Sequence, residues 1–171
     1  MPSASNTSNS SNLIAGSTNI IVQQNIGNRL AVELISGRET IDSDIEVGHV
    51  IRYDIPTGRY VKADASGPAS AEVFGIVESI SDNGQTYFVV TYGAIKMNPG
   101  KLINNTSSGI NYGGNDIYFL SANRPGFLQN INPGISGQII KPIYQVAPIG
   151  EFTGVVINYV GYTVIWGLLW H

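Results

Sequence analysis

Acid–base chemistry in this 171-residue chain would have to come from two histidines and twelve carboxylates, because there is no cysteine. That absence removes disulfides, thiolate metal sites and cysteine nucleophiles together. His49 falls in a predicted strand, where a ring satisfied by its surroundings is the ordinary outcome, and His171 is the last residue. Two histidines cannot build a three-histidine zinc site, and HExxH, Walker A, Gly-x-Ser-x-Gly and dinucleotide glycine patterns are all absent. The acids concentrate in Glu39–Glu46, where Asp42-x-Asp44-x-Glu46 has some likeness to a calcium loop. It lacks the mid-loop glycine and the glutamate spacing of an EF-hand, so a solvated loop is the expectation. No catalytic, cofactor-binding or metal-ligating residue is assigned, and the chain reads as a non-enzyme that needs no cofactor.

Binding chemistry has more to work with. Nine tyrosines could stack on sugar rings, which keeps a carbohydrate-recognition module as one reading. Most lie in predicted strands and read as packing residues; Tyr112, in an Asn/Gly/Ser loop, is the exception. Nucleic acid is excluded as a partner by a net charge of −3 and the absence of a basic stripe. No run approaches the roughly 18 apolar residues of a membrane span. The first residues lack the basic start and apolar run of a secretory signal, so synthesis in the cytoplasm is expected.

The elements that would position these residues are strands. Val73–Ile80 and Thr86–Tyr92 are rich in β-branched and aromatic residues and flank Ser81-Asp82-Asn83-Gly84, whose Asn-Gly step predicts a hairpin. Both alternating sets of the second run are bulky, so both faces of that strand must be covered, by the chain itself or by a neighbouring copy. Further strands are predicted at Leu30–Ile35, His49–Tyr53, Arg59–Lys62, Ile117–Ser121, Ile139–Gln145, Phe152–Tyr159 and Tyr162–Trp166, separated by Gly, Pro and Asn turns. Eight to eleven short strands and no long helix predict an all-β sandwich or barrel.

Two ends stand apart from this body. Residues 1–28 contain no charge, and a stretch so rich in Ser, Asn and Thr cannot offset its own ordering entropy. It reads as an extended N-terminal arm, residues 1–26, with Leu13, Ile14, Ile20, Ile21 and Val22 as apolar anchors for a partner's strands. The body then spans 27–171. Only 12% of residues are charged, about half the usual share. From Gly100 onward only Lys101, Asp116, Arg124, Lys141 and Glu151 are charged, and the chain ends Val164-Ile165-Trp166-Gly167-Leu168-Leu169-Trp170-His171. Trp166, Leu168, Leu169 and Trp170 are candidate oligomer-interface residues.

Residues 47–97 carry the landmarks Gly48, Tyr60-Val61-Lys62-Ala63, Phe74-Gly75-Ile76-Val77 and Tyr92-Gly93. With them the stretch resembles the head decoration (capsid cement) proteins of lambda-type tailed bacteriophages. Asp116–Ser121, Pro125–Leu128 and Gly137–Ile143 are similar to phrases in phage fibre and baseplate proteins. The resemblance implies a β-tulip-like body with a decoration-protein-like core at 47–97 and a second β half at 98–171. It further implies a homotrimer on the phage head surface that clamps neighbouring major capsid subunits through its arms, with a tail-fibre or baseplate attachment module as the alternative within the same class.

Overall fold

A computed structural model describes residues 23–25, 29–97 and 117–165. The arm anchors from Leu13 to Val22, the loop containing Tyr112, and Trp166, Leu168, Leu169 and Trp170 lie outside the described residues. Those described form thirteen strands and no helix: β1 Gln23–Asn25, β2 Arg29–Ile35, β3 Thr40–Ile41, β4 Val50–Asp54, β5 Arg59–Lys62, β6 Gly75–Ile80, β7 Thr86–Ile95, β8 Ile117–Leu120, β9 Leu128–Gln129, β10 Ile139–Ile140, β11 Pro142–Ile149, β12 Phe152–Val156 and β13 Tyr162–Thr163. The fold is all-β, as the turn-rich composition predicts. Eleven strands form one mixed sheet and β10 pairs with β13 beside it. Among the described strands only β3 and β5 pair in parallel.

The hairpin predicted at Ser81–Gly84 is present, and its second strand organises the whole body. Asn83 Oδ1 accepts hydrogen bonds from Ser81 Oγ and the Gln85 N–H, and Gly84, at φ 70°, turns the chain back. Strand β7 then runs ten residues, three beyond the expected end at Tyr92. One edge of β7 pairs with β2 from Thr86 to Gly93. The other edge pairs first with β6, over Tyr87–Val90, and then with β12, over Gly93–Ile95. The sheet order β3-β5-β4-β6-β7-β12-β11-β8-β9 is therefore two halves joined through a single strand.

Both faces of this joint are filled by the chain itself. Ala31, Val90, Ile76 and Val50 line up across β2, β7, β6 and β4 by register and lie in one core cluster. Val32, Val89 and Val77, the next residue of each strand, lie in a second cluster on the opposite face with Leu34, Ile45, Ile51 and Tyr87. The first cluster also takes Tyr118, Leu120, Leu128, Ile143, Val146 and Val156 from the second half. The two halves therefore close over a common core. Full burial of each aliphatic side chain contributes about 1.5–3 kcal/mol, so the paired rows on both faces fix the register strongly.

Main-chain hydrogen bonds seal the closure. The Ala65 N–H donates to Ser121 O, the Val50 N–H to Gly126 O, the Gly126 N–H to Ala63 O and the Ile139 N–H to Ala65 O. These bonds tie the β4–β5 end of the sheet to the β8–β9 end, giving a barrel-like body.

Several boundaries differ from expectation. Gln23–Asn25, inside the stretch assigned to the arm, pairs antiparallel with β2. The acid-rich segment contains β3, and β9 follows the Pro125-Gly126 turn. The predicted strand Ile139–Gln145 is broken at Lys141. Phe152–Tyr159 stops at Val156, two residues before Asn158, whose φ of 39° is left-handed and cannot continue a strand.

Candidate functional site

The principal polar cluster stands where the two halves meet, around His49. It is built from the loop before β4, the end of β5 and the turn between β8 and β9. Arg124-Pro125-Gly126-Phe127 closes on a Phe127 N–H to Arg124 O bond of 3.2 Å with Gly126 at φ 83°, as a type II turn with Pro then Gly requires. This places Gly126 against the His49 ring and the Lys62 stem, at 3.0–3.1 Å from where a Cβ would lie. The Phe127 ring meets the imidazole edge-on at 5.4 Å between centroids, and the Arg124 guanidinium lies 3.9 Å over the other ring of that pair, Phe127.

His49 is buried, and its Nδ1 accepts the Glu46 N–H at 3.0 Å. An accepting Nδ1 requires the neutral ring with its proton on Nε2. Burial pushes the imidazole below its ordinary value, the Lys62 and Arg124 charges push the same way, and Glu46 and Asp44 oppose them. No hydroxyl or carboxylate is hydrogen-bonded to the ring among the described residues, so the cluster holds no aligned nucleophile for His49 to activate. His49 caps its own loop and packs the joint.

Two of the three carboxylates read as a possible calcium loop go to separate partners: Asp42 pairs with Arg59 at 2.6 Å and Asp44 with Lys62 at 2.6 Å. Nearby, Glu39 accepts the Ile35 N–H at 2.7 Å. The Lys62 hydrogen bond holds the Asp44 carboxyl below the usual range. Among the described residues no three potential ligands gather into a metal-sized group.

A second polar knot was not foreseeable from sequence spacing. Glu78 is the extra residue of a bulge in β6, where Val77 pairs with Val89 and Ser79 with Phe88. Its carboxylate takes Arg29 at 2.6 Å and the Lys96 N–H at 2.9 Å, and Arg29 in turn lies 5.3 Å over the Phe152 ring. One side chain thus links β2, β6, the end of β7 and β12. Its main partner is 49 positions away, which leaves no local signal.

The tyrosines divide as packing and rim. Tyr87, Tyr118 and Tyr144 are buried, and Tyr60 is sandwiched between Tyr53 and Phe74. Tyr53, Tyr92, Tyr159 and Tyr162 are exposed.

The last two of these sit on a long two-stranded ribbon. Strands β11 and β12 pair from Ile149/Phe152 to Tyr144/Val156. The pairing then continues through an Ile157 N–H to Ile143 O bond and a Tyr159 N–H to Pro142 O bond into β10–β13, and ends where Val164 exchanges bonds with Gly137 and Gln138. Asn158 bends the ribbon and anchors it, donating from Nδ2 to Val73 O at 3.2 Å. Beyond the bend, Tyr159, Val160, Tyr162 and Ile165 face solvent together with Ile135.

Comparison with family models, with characterised proteins and with solved structures finds no match. The class that the fold defines is an all-β body; His49 packs and caps, Asp42, Asp44 and Glu78 form ion pairs, and several exposed apolar side chains lie at a ribbon tip.

Proposed function

We propose that the chain is a non-enzymatic structural protein of a tailed-phage virion: a head decoration, or cement, protein that binds the outer surface of the head and clamps neighbouring major capsid subunits, working as a homotrimer. The observation that carries this reading is that residues 47–97, which hold the resemblance, fold as one contiguous block. Strands β5, β4, β6 and β7 are adjacent in that order, and β4, β6 and β7 each send buried residues into core clusters on both faces. Such a block is a rigid platform, which suits a protein whose work is to hold others in place.

The arm supplies attachment in this reading. Its apolar anchors Leu13, Ile14 and Ile20–Val22 add to strands of the shell, where main-chain hydrogen bonds give affinity and three tethered arms multiply it. Immunogold electron microscopy of intact virions is the test. Label at regular spacing over the head supports the assignment, label confined to the tail moves it to a fibre or baseplate module, and unlabelled virions overturn it. Deleting residues 2–22, which leaves β1 paired with β2, is expected to abolish head binding while the body stays folded; a truncated protein that still binds heads refutes the arm's role.

A further inference from the structure

We propose that the tip of the β10–β13 ribbon is the surface through which copies of this chain bind one another. The inference deepens the self-association contained in the reading above, and its test needs no capsid.

An unpaired strand edge is a template for another chain, and proteins that must stay apart blunt such edges with charge, proline or a bulge. Strand β13 carries none of these. The N–H and C=O of Val164 both turn inward, to Gln138 and Gly137, so by alternation those of Thr163 point away from β10. No charged residue occurs from Ile131 to Ile140 or from Phe152 to Ile165. Identical surfaces must be self-complementary to meet, and a charge-free one brings no like charges together. Another exposed apolar pair, Tyr53 and Ile55, contrasts with this, since Arg52, Asp54 and Arg59 surround it in the β4–β5 hairpin.

The amount of surface fits a specific contact between copies. Ile135, Tyr159, Val160, Tyr162 and Ile165 are each 60–81% exposed. At about 200 Å² per large side chain they expose roughly 700 Å² in all, divided between the two faces and the end of the ribbon, against the ~800 Å² per partner of a standard interface. Apolar composition with tyrosine at its centre is also what the buried core of an interface selects.

The experiment is sedimentation equilibrium of the purified full chain across micromolar concentrations, with Val160→Asp and Tyr162→Lys as separate tip variants and Ile55→Lys as a control of equal exposure. The wild type and Ile55→Lys are expected to sediment as a multiple of 18.3 kDa. Each tip variant is expected to sediment as a monomer with an unchanged melting curve, since Val160 is 81% and Tyr162 71% exposed and neither supports the core. Hydrogen exchange gives a second readout: the Thr163 amide should be protected in the wild type and lose that protection in both tip variants. A monomeric wild type, or a tip variant that keeps the wild-type mass, overturns the proposal. Head binding by a monomeric wild type would leave the decoration reading standing without it.

Discussion

Gly75→Ala tests the joint between the two halves most directly. Gly75 opens β6 opposite Ile51 and presses against β7, so a Cβ there would lie 2.5 Å from Val90 O and 2.8 Å from Val89 Cγ1. Ordinary contact needs about 3.5 Å. The Val90 carbonyl cannot retreat, because Val90 is held between Ala31 on one edge and Ile76 on the other. Strand β6 must therefore move by several tenths of an ångström, and it carries Ile76 into one core cluster and Val77 into the other. Overpacking of this kind costs about 1–3 kcal/mol, offset in part by the ~0.4–1 kcal/mol that alanine gains from a less free unfolded chain. The centre of these ranges is a net loss of about 1.3 kcal/mol. With an m-value near ~2 kcal/mol/M this lowers the urea midpoint by roughly 0.6 M, and it lowers the melting temperature by about 3–5 °C. Gly67→Ala is the control, because nothing lies within 4 Å of its Cβ position, and it should be neutral or slightly stabilising. A Gly75→Ala midpoint equal to or above wild type, at unchanged m, refutes the close-approach argument.

Two further perturbations follow from the polar clusters. Glu78→Ala removes the carboxylate from Arg29, whose Nε is already buried without a partner, and should cost about 3 kcal/mol in urea unfolding; Glu78→Leu with Arg29→Met should recover most of it, and a double variant no better than the single one would refute the ion-pair account. The His49 imidazole titrates below its ordinary 6.5 in the folded chain, so the unfolded chain binds the proton more readily and stability, complete above that value, falls as pH drops from 6.5 through the lowered native value. The slope is bounded by about 1.4 kcal/mol per pH unit, and His49→Gln should flatten stability measured between about pH 7 and about pH 5; an unchanged slope would show that the ring is not held neutral.

The strands were legible where a turn residue and a β-branched run coincide. Arg59–Lys62 lies between Gly58 and Ala63 with the bounds expected, and Asn83-Gly84 marks the central hairpin. Legibility ends where one residue changes the register. Thr91 lies unpaired between Leu30/Tyr92 and Ala31/Val90, a bulge that the alternation read along Thr86–Tyr92 does not show, although that alternation does put Val89 and Val90 on opposite, covered faces. Asn158 reads as an ordinary strand residue until its left-handed backbone ends β12 and bends the ribbon. The two-residue strands β3 and β9 exist only because distant partners, β5 and β8, offer free edges, and no local pattern announces that. For the site, the sequence makes His49 a satisfied or half-exposed structural ring, and it is buried with Nδ1 accepting a backbone N–H. What satisfies it, the Glu46 N–H and the Phe127 ring, depends on a loop closure and a turn far along the chain.

How such a body can engage anything else follows from where its apolar surface has gone. Both faces of the β2/β7/β6/β4 region are consumed by its own two clusters, so a partner cannot lie flat on the sheet there without displacing Val32, Leu34 and Ile45 on one side or the second half of the chain on the other. Displacing three such side chains at about 1.5–3 kcal/mol each would cost roughly 4.5–9 kcal/mol, comparable to the ~8 kcal/mol of a micromolar complex. Among the described residues two margins bear on the decoration reading. One is β1, which pairs with β2 and in sequence follows directly on Ile20-Ile21-Val22. Another is the ribbon tip, which stands beyond the bend at Asn158. In the decoration reading these margins divide the work, β1 and the arm serving the shell and the tip serving the neighbouring copy. A tip variant should therefore weaken head binding through lost avidity alone, and a deletion of residues 2–22 should abolish it while leaving self-association intact. Loss of both properties from either change would show that a single surface does both jobs.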